Sequence, residues 1–169
     1  HYDAGYKPMK GFVFDGAEME GRLTTADDTR VPVKIQYTQK SPDAVHAKLT
    51  VETEEPFSTG RLMYEQFMRF VPEVGVKVSV NGKVFDYSKP FDSAKPYQVV
   101  IPALPDNGVT TVVVDAPKAT WTLTGKFAVI LQDLRNWKSD ALQLRLMFTP
   151  YSGQLTKSSL EFDLVLNKK

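Results

Sequence analysis

The chain has 169 residues, with 42% hydrophobic, 24% charged and 11% aromatic side chains, an ordinary globular composition that predicts one domain over residues 1–169. Lys and Arg number 21 against 20 Asp and Glu, so the net charge of +1 gives no electrostatic case for nucleic acid or an anionic membrane. There is no Cys, and the only histidines are His1 and His46, which excludes disulfides, thiol catalysis, Cys-ligated metals and a multi-histidine metal site.

No apolar run reaches the ~20 residues of a membrane-spanning helix, so no membrane insertion is expected. The chain begins at His1 rather than Met. We read that as a processed segment or a module of a larger protein.

Along the chain the dominant signal is strand. Phe12–Phe14 and Met19–Leu23 read as short strands around Asp15-Gly16. Val31–Tyr37, Val45–Val51 and Val74–Val80 alternate apolar and polar side chains, which places one face on a core and the other in water. Asn81-Gly82 then separates Val80 from Lys83–Tyr87. Two residues that both accept positive φ, set between two strands, form the strongest short-range hairpin signal.

Leu62–Phe70 fits two patterns. Met63, Phe67, Phe70 and Val74 fall at helical spacing, whereas Leu62, Tyr64, Met68 and Phe70 share a face if the segment is extended, with Gln66 out of pattern. Its neighbours are strands, so strand is the expectation. As a strand on an open sheet face it would present a row of Tyr64, Glu65 and Arg69.

Tyr97–Ile101, Thr110–Asp115 and Thr120–Thr124 follow as further strands. Alternation puts Trp121 on the face of Leu123 and predicts a core tryptophan. Phe127–Leu131 is almost continuously apolar, which predicts a central strand buried on both faces. Ala141–Phe148 and Leu160–Leu166 alternate cleanly. Pro105–Gly108, Thr124–Lys126 and Tyr151–Gly153 carry turn formers between these runs. About ten to twelve short strands without helical crossovers predict an all-β fold, a two-sheet antiparallel β-sandwich of jelly-roll or Ig-like kind.

The clearest polar and aromatic cluster is Gln132, Asp133, Arg135, Asn136 and Trp137, directly after the apolar strand. Loops at strand ends carry binding residues. Asp, Arg, Asn and Gln offer acceptors and donors to vicinal hydroxyls, and an indole offers a flat apolar face to the C–H face of a pyranose. The same residues have a structural reading: Trp137 closing the end of the fold, and Asp133 with Arg135 acting as a loop salt bridge or turn cap.

Other chemistry is weakly represented. Glu52, Glu54, Glu55, Asp27 and Asp28 are numerous enough to pair for glycoside hydrolysis but sit in solvent-facing contexts. No Gly-x-Ser-x-Gly elbow or Gly-rich phosphate loop occurs. His46 lies between Val45 and Ala47 and is expected to point outwards with no role. No cofactor is expected. A structural Ca²⁺ on Asp15, Glu18, Asp27 and Asp28 is left open, because those residues carry hard oxygen ligands but lack EF-hand spacing.

The strand series, the Asn81-Gly82 hairpin and the Gln132–Trp137 loop together resemble the jelly-roll or Ig-like accessory modules of large secreted bacterial polysaccharide-degrading enzymes. The resemblance implies a non-catalytic, extracellular or periplasmic module that binds glycan or packs beside a catalytic domain of the same polypeptide. The alternative is a structural or protein-interaction module of a cell-surface or secreted protein. The two readings differ over the tryptophans. A glycan module needs an exposed aromatic platform, and an interaction module has Trp121 and Trp137 both buried.

Overall fold

The structure is a computed structural model that describes residues 18–24, 30–58, 63–69, 76–91, 99–101, 108–117, 119–139, 141–148 and 153–169. The strands are β1 (Glu18–Thr24), β2 (Arg30–Ser41), β3 (Ala44–Ser58), β4 (Met63–Arg69), β5 (Lys77–Val80), β6 (Lys83–Asp86), β7 (Val99–Ile101), β8 (Thr110–Asp115), β9 (Ala119–Gly125), β10 (Ala128–Asp133), β11 (Ala141–Met147) and β12 (Gln154–Lys168). The one helical piece among the described residues is a 3₁₀ turn, Leu134–Trp137. The fold is all-β, with a large sheet in the order β1-β2-β3-β12-β9-β8-β5-β6 and a small one in the order β4-β11-β10-β7. Every pairing in both is antiparallel.

The hairpin predicted at Asn81-Gly82 forms, with φ of 49° and 83° at the two turn residues. Asn81 adds a tether to β8: its N–H donates to the Thr111 carbonyl at 2.9 Å, and its Oδ1 accepts from the Thr111 N–H at 2.8 Å. The segment with two readings is a strand. β4 pairs with β11 from Met63 opposite Met147 to Arg69 opposite Ala141. The β11 ladder supplies the backbone partners that a helix would have supplied within itself.

β3 runs further than its alternation predicted. The added stretch, Glu52–Ser58, pairs with β12 across a register shift between Leu155 and Lys157. That irregularity is where Pro56, which cannot donate to a ladder, is tolerated.

Alternation builds the core. Val31, Val33 and Ile35 of β2, Leu49 and Val51 of β3, Val78 and Val80 of β5, Val112 and Val114 of β8, and Leu160 and Phe162 of β12 all turn to one side of the large sheet. They form one buried cluster with Val129 and Leu131 of β10 and Leu142, Leu144 and Leu146 of β11. Phe127 and Phe148 are fully buried in that cluster, and the Phe127 ring meets Phe162 edge-to-face with centroids 6.4 Å apart. The expectation for the apolar run holds for Phe127, Ala128, Val129 and Leu131, which are all buried, while Ile130 is half-buried.

Gly125 ends β9 where β9 presses against β12. A Cβ there would meet the Glu161 carbonyl oxygen at 2.3 Å and the Phe127 ring at 2.9 Å. The first obstacle is backbone and cannot swing away. Gly125→Ala is therefore expected to cost about 1–3 kcal/mol. Urea denaturation checks it as a lower midpoint at unchanged slope.

Two sequence expectations need correction. Trp121 shares the side of Leu123, but it is 36% exposed and lies outside the core cluster. Its ladder partners are Val114 and Leu166, close to the end of the sheet, where facing side chains no longer cover a ring of that size. The clean alternation of β11 predicted a solvated polar side. Instead Gln143 is 4% exposed and Met147 is also buried. β11 is an inner strand of its sheet, with β4 on one side and β10 on the other. On that side Arg145 Nη2 donates to Gln143 Oε1 at 2.5 Å, while Arg145 Nε is buried without a hydrogen-bond partner among the described residues.

Candidate functional site

The loop singled out by the sequence is a short, tightly braced turn. β10 ends at Asp133, whose extended backbone (φ −81°, ψ 110°) makes it the cap of the 3₁₀ turn. Its Oδ1 accepts from the Arg135 backbone N–H at 3.0 Å, which satisfies a donor the turn leaves open. The Arg135 side chain folds back onto the same carboxylate, with Nε 3.0 Å from Oδ1 and Nη2 2.6 Å from Oδ2. Nη1 donates across to the Lys89 carbonyl at 2.8 Å, beyond the end of β6. Only a planar fork makes all these bonds at once.

Lys138 closes the turn in the left-handed region, at φ 59° and ψ 28°. Its N–H donates to the Arg135 carbonyl at 3.0 Å, and that of Ser139 to the Leu134 carbonyl at 3.2 Å. This is the usual way to stop such a turn, although a residue with a Cβ pays about 1–2 kcal/mol for the conformation. The tip of this braced turn is Trp137, 52% exposed.

Each predicted site residue thus has a place. Asp133 and Arg135 hold each other and the turn. Trp137 stands at the surface. Gln132 lies opposite Gln143 in the ladder, and its Oε1 is fully buried with no hydrogen-bond partner among the described residues. It does not join Trp137 at the surface. Asn136 belongs to the 3₁₀ turn.

Sheet register brings Trp121 to the same end of the fold. Lys89 follows the end of β6, Asp86 at that end pairs with Lys77, Lys77 with Asp115, and Asp115 with Thr120. Trp121 is the next residue of β9, roughly 14 Å from β6 at three strand spacings. Tyr87, directly after β6, packs against the core, with its N–H on the Val76 carbonyl at 2.9 Å. Burial, and after it the Asp133 charge, pushes the Tyr87 phenol up to about 12.

That shift has a consequence at high pH. The unfolded phenol releases its proton near its ordinary value of 10.0, while the folded one holds it to about 12. The folded state therefore binds more protons between those values, and stability falls as pH rises through them. The expected loss is roughly 2 kcal/mol. Denaturant titrations of the wild type across that range should show it, and Tyr87→Phe should flatten it.

A second polar cluster escaped the sequence reading. His46 does point away from the core, as expected, but it is not idle. Nδ1 lies 2.8 Å from Asp163 Oδ1, directly across the β3–β12 ladder, and Nε2 lies 3.1 Å from Glu161 Oε1. The group borders an open groove of about 370 Å³ that Thr124, Lys126 and Ser159 also line. Both ring nitrogens face carboxylates, which leaves neither to activate a serine hydroxyl. The signal that finds this pair is register, and a single sequence does not carry it across the 117 residues that separate His46 from Asp163.

The remaining candidates do not converge on a cleft. Glu52 pairs with Lys157 at 2.9 Å, and Glu54 and Glu55 are exposed. Tyr64, Glu65 and Arg69 fall on β4 opposite Leu146, Arg145 and Ala141. Among the described residues no three His, Asp or Glu are grouped to hold a metal ion. Asp15, Asp27 and Asp28, like Phe12–Phe14, Tyr97, Pro105 and Tyr151, lie outside the described residues, and Glu18 is the first residue of β1. No helix among the described residues is long and apolar enough to cross a membrane.

The sequence matches no protein-family model and is similar to no curated protein.

Proposed function

We propose that this chain is a non-catalytic carbohydrate-associated module. On this reading the two sheets close as a β-sandwich of jelly-roll or Ig-like kind, carried by an extracellular or periplasmic bacterial protein beside a catalytic domain. The observation that supports it is the exposure of Trp137 and Trp121 at one end of the fold. Two large aromatic rings left at the surface at one end of the fold offer a contact surface there. Indole faces are the groups that stack on sugar rings. The brace between Asp133 and Arg135 adds preorganisation, because a ring on a rigid turn loses little freedom on binding.

A structural or interaction module is the alternative, and it calls for both tryptophans to be buried. Affinity electrophoresis through gels containing soluble polysaccharides tests the proposal. Retardation by at least one polysaccharide, relieved by competing oligosaccharide, is expected. Unretarded migration through every gel would remove the glycan reading and leave the interaction module.

A further inference from the structure

The net charge of +1 conceals an uneven distribution. The end of the fold that carries the tryptophans is also where β2 ends and β3 begins, since the Leu166 N–H donates to the Asp43 carbonyl at 2.8 Å beside the Trp121 ladder position. Among the described residues this end holds Lys40, Lys77, Lys89, Lys138, Lys168 and Lys169 in addition to Arg135. The carboxylates there are Asp43, Asp86, Asp115 and Asp133. Two of them are already spoken for: Asp133 by the Arg135 fork and Asp115 by the Lys169 ammonium. Among the described residues that leaves five lysines against Asp43 and Asp86 at this end, an excess of positive charge at the end that carries the two exposed indoles.

Two further observations agree. The Asp86 carboxyl is held below its ordinary range, first by hydrogen bonds from Ser88 and then by the fields of Lys77 and Lys89. The Asp115 carboxyl is lowered as well, first by its hydrogen bond from Lys169, with Lys77 adding to it. And Lys138, next to Trp137, occupies a left-handed position that glycine would take without strain. The turn thus carries a cation at its tip where the backbone alone favours none.

We propose that the glycan taken at this end is anionic, a polyuronate or sulfated polysaccharide, with Trp137 and Trp121 stacking on sugar rings and Lys89 and Lys138 pairing with carboxylate or sulfate groups beside them. This rests on the reading of the end as a glycan site and adds the charge of the ligand.

Polymers matched in backbone but differing in charge test it with the full chain. The probes are polygalacturonate against its methyl ester, and dextran sulfate against dextran, titrated calorimetrically at about 50 and about 200 mM salt. The expected result is that an acidic polymer binds at least about tenfold more tightly than its neutral counterpart and loses several-fold in affinity at the higher salt. Lys89→Ala with Lys138→Ala should weaken the acidic polymer about tenfold at an unchanged melting temperature, since two exposed ammoniums are lost. Equal binding of acidic and neutral polymers, or of a neutral one alone, overturns the anionic inference and leaves the glycan reading standing. Failure of all four polymers overturns both. Binding of duplex DNA as tight as the acidic polymer, and unmoved by Trp137→Ala, marks a general polyanion contact and also overturns the inference.

Discussion

Trp137→Ala is expected to weaken glycan binding by roughly thirtyfold or more, the loss of about 2 kcal/mol that marks a central aromatic contact. The same change should cost less than about 1 kcal/mol of stability. The ring is 52% exposed, so little apolar area returns to water when it goes. The turn that carries it is held by Asp133, Arg135 and the Lys89 carbonyl, none of which needs the indole. A tryptophan that closed the end of the core would instead cost about 3–5 kcal/mol on truncation. Trp121→Ala should behave in the same direction with a smaller stability margin, because that ring is nearer to the core. Arg135→Lys separates bracing from contact. A point charge cannot reproduce the fork to Asp133, so this change should lower stability by about 1–2 kcal/mol and weaken binding only through a looser turn. Isothermal titration beside thermal unfolding of each variant reads both quantities.

The second large effect lies in the core. Phe127→Ala is expected to destabilise the protein by about 3–5 kcal/mol, a large share of the 5–15 kcal/mol ordinarily available to a domain. The ring has no exposed surface and stands edge-to-face with Phe162 at 6.4 Å. It belongs to the cluster in which residues of both sheets meet, so the cavity left by truncation cannot be closed by moving one strand alone. Its backbone carbonyl accepts the buried Thr110 hydroxyl at 2.7 Å, which pins the chain at this point and limits relaxation. Urea unfolding followed by tryptophan fluorescence should show the midpoint fall by the equivalent of about 3–5 kcal/mol. A shift equivalent to less than about 1.5 kcal/mol would mean that Phe127 is not the packed centre described here.

What the sequence revealed depended on the range of the interaction involved. Local chemistry was readable: the Asn81-Gly82 turn needs positive φ at two successive residues, and only such a pair permits it. The apolar run Phe127–Leu131 announced burial by having no polar side to offer. Side of sheet was readable too, since period two alone put Trp121 with Leu123. Depth was not, because whether a ring near a strand end is covered depends on how far the facing residues reach. The same limit hid the covered polar side of β11, where Arg145 bonds Gln143 in a position that alternation assigns to water. For Asp133 and Arg135 the sequence offered both a ligand site and a brace, with the brace the stronger of the two. The structure shows the brace itself, as the carboxylate accepts both the backbone and the guanidinium of a residue two positions on. The pairing of His46 with Asp163 and Glu161 is purely a matter of β3–β12 register.

Acrylamide quenching of the intrinsic tryptophan fluorescence, with and without an acidic polysaccharide, tests the central claim most directly. Trp137 and Trp121 are the only two tryptophans in the chain. Both are expected to be quenched efficiently in the free protein and to be protected by saturating glycan, Trp137 more strongly, with Trp137→Ala removing most of the protected signal. Two tryptophans already shielded in the free protein, and indifferent to every glycan, would contradict it.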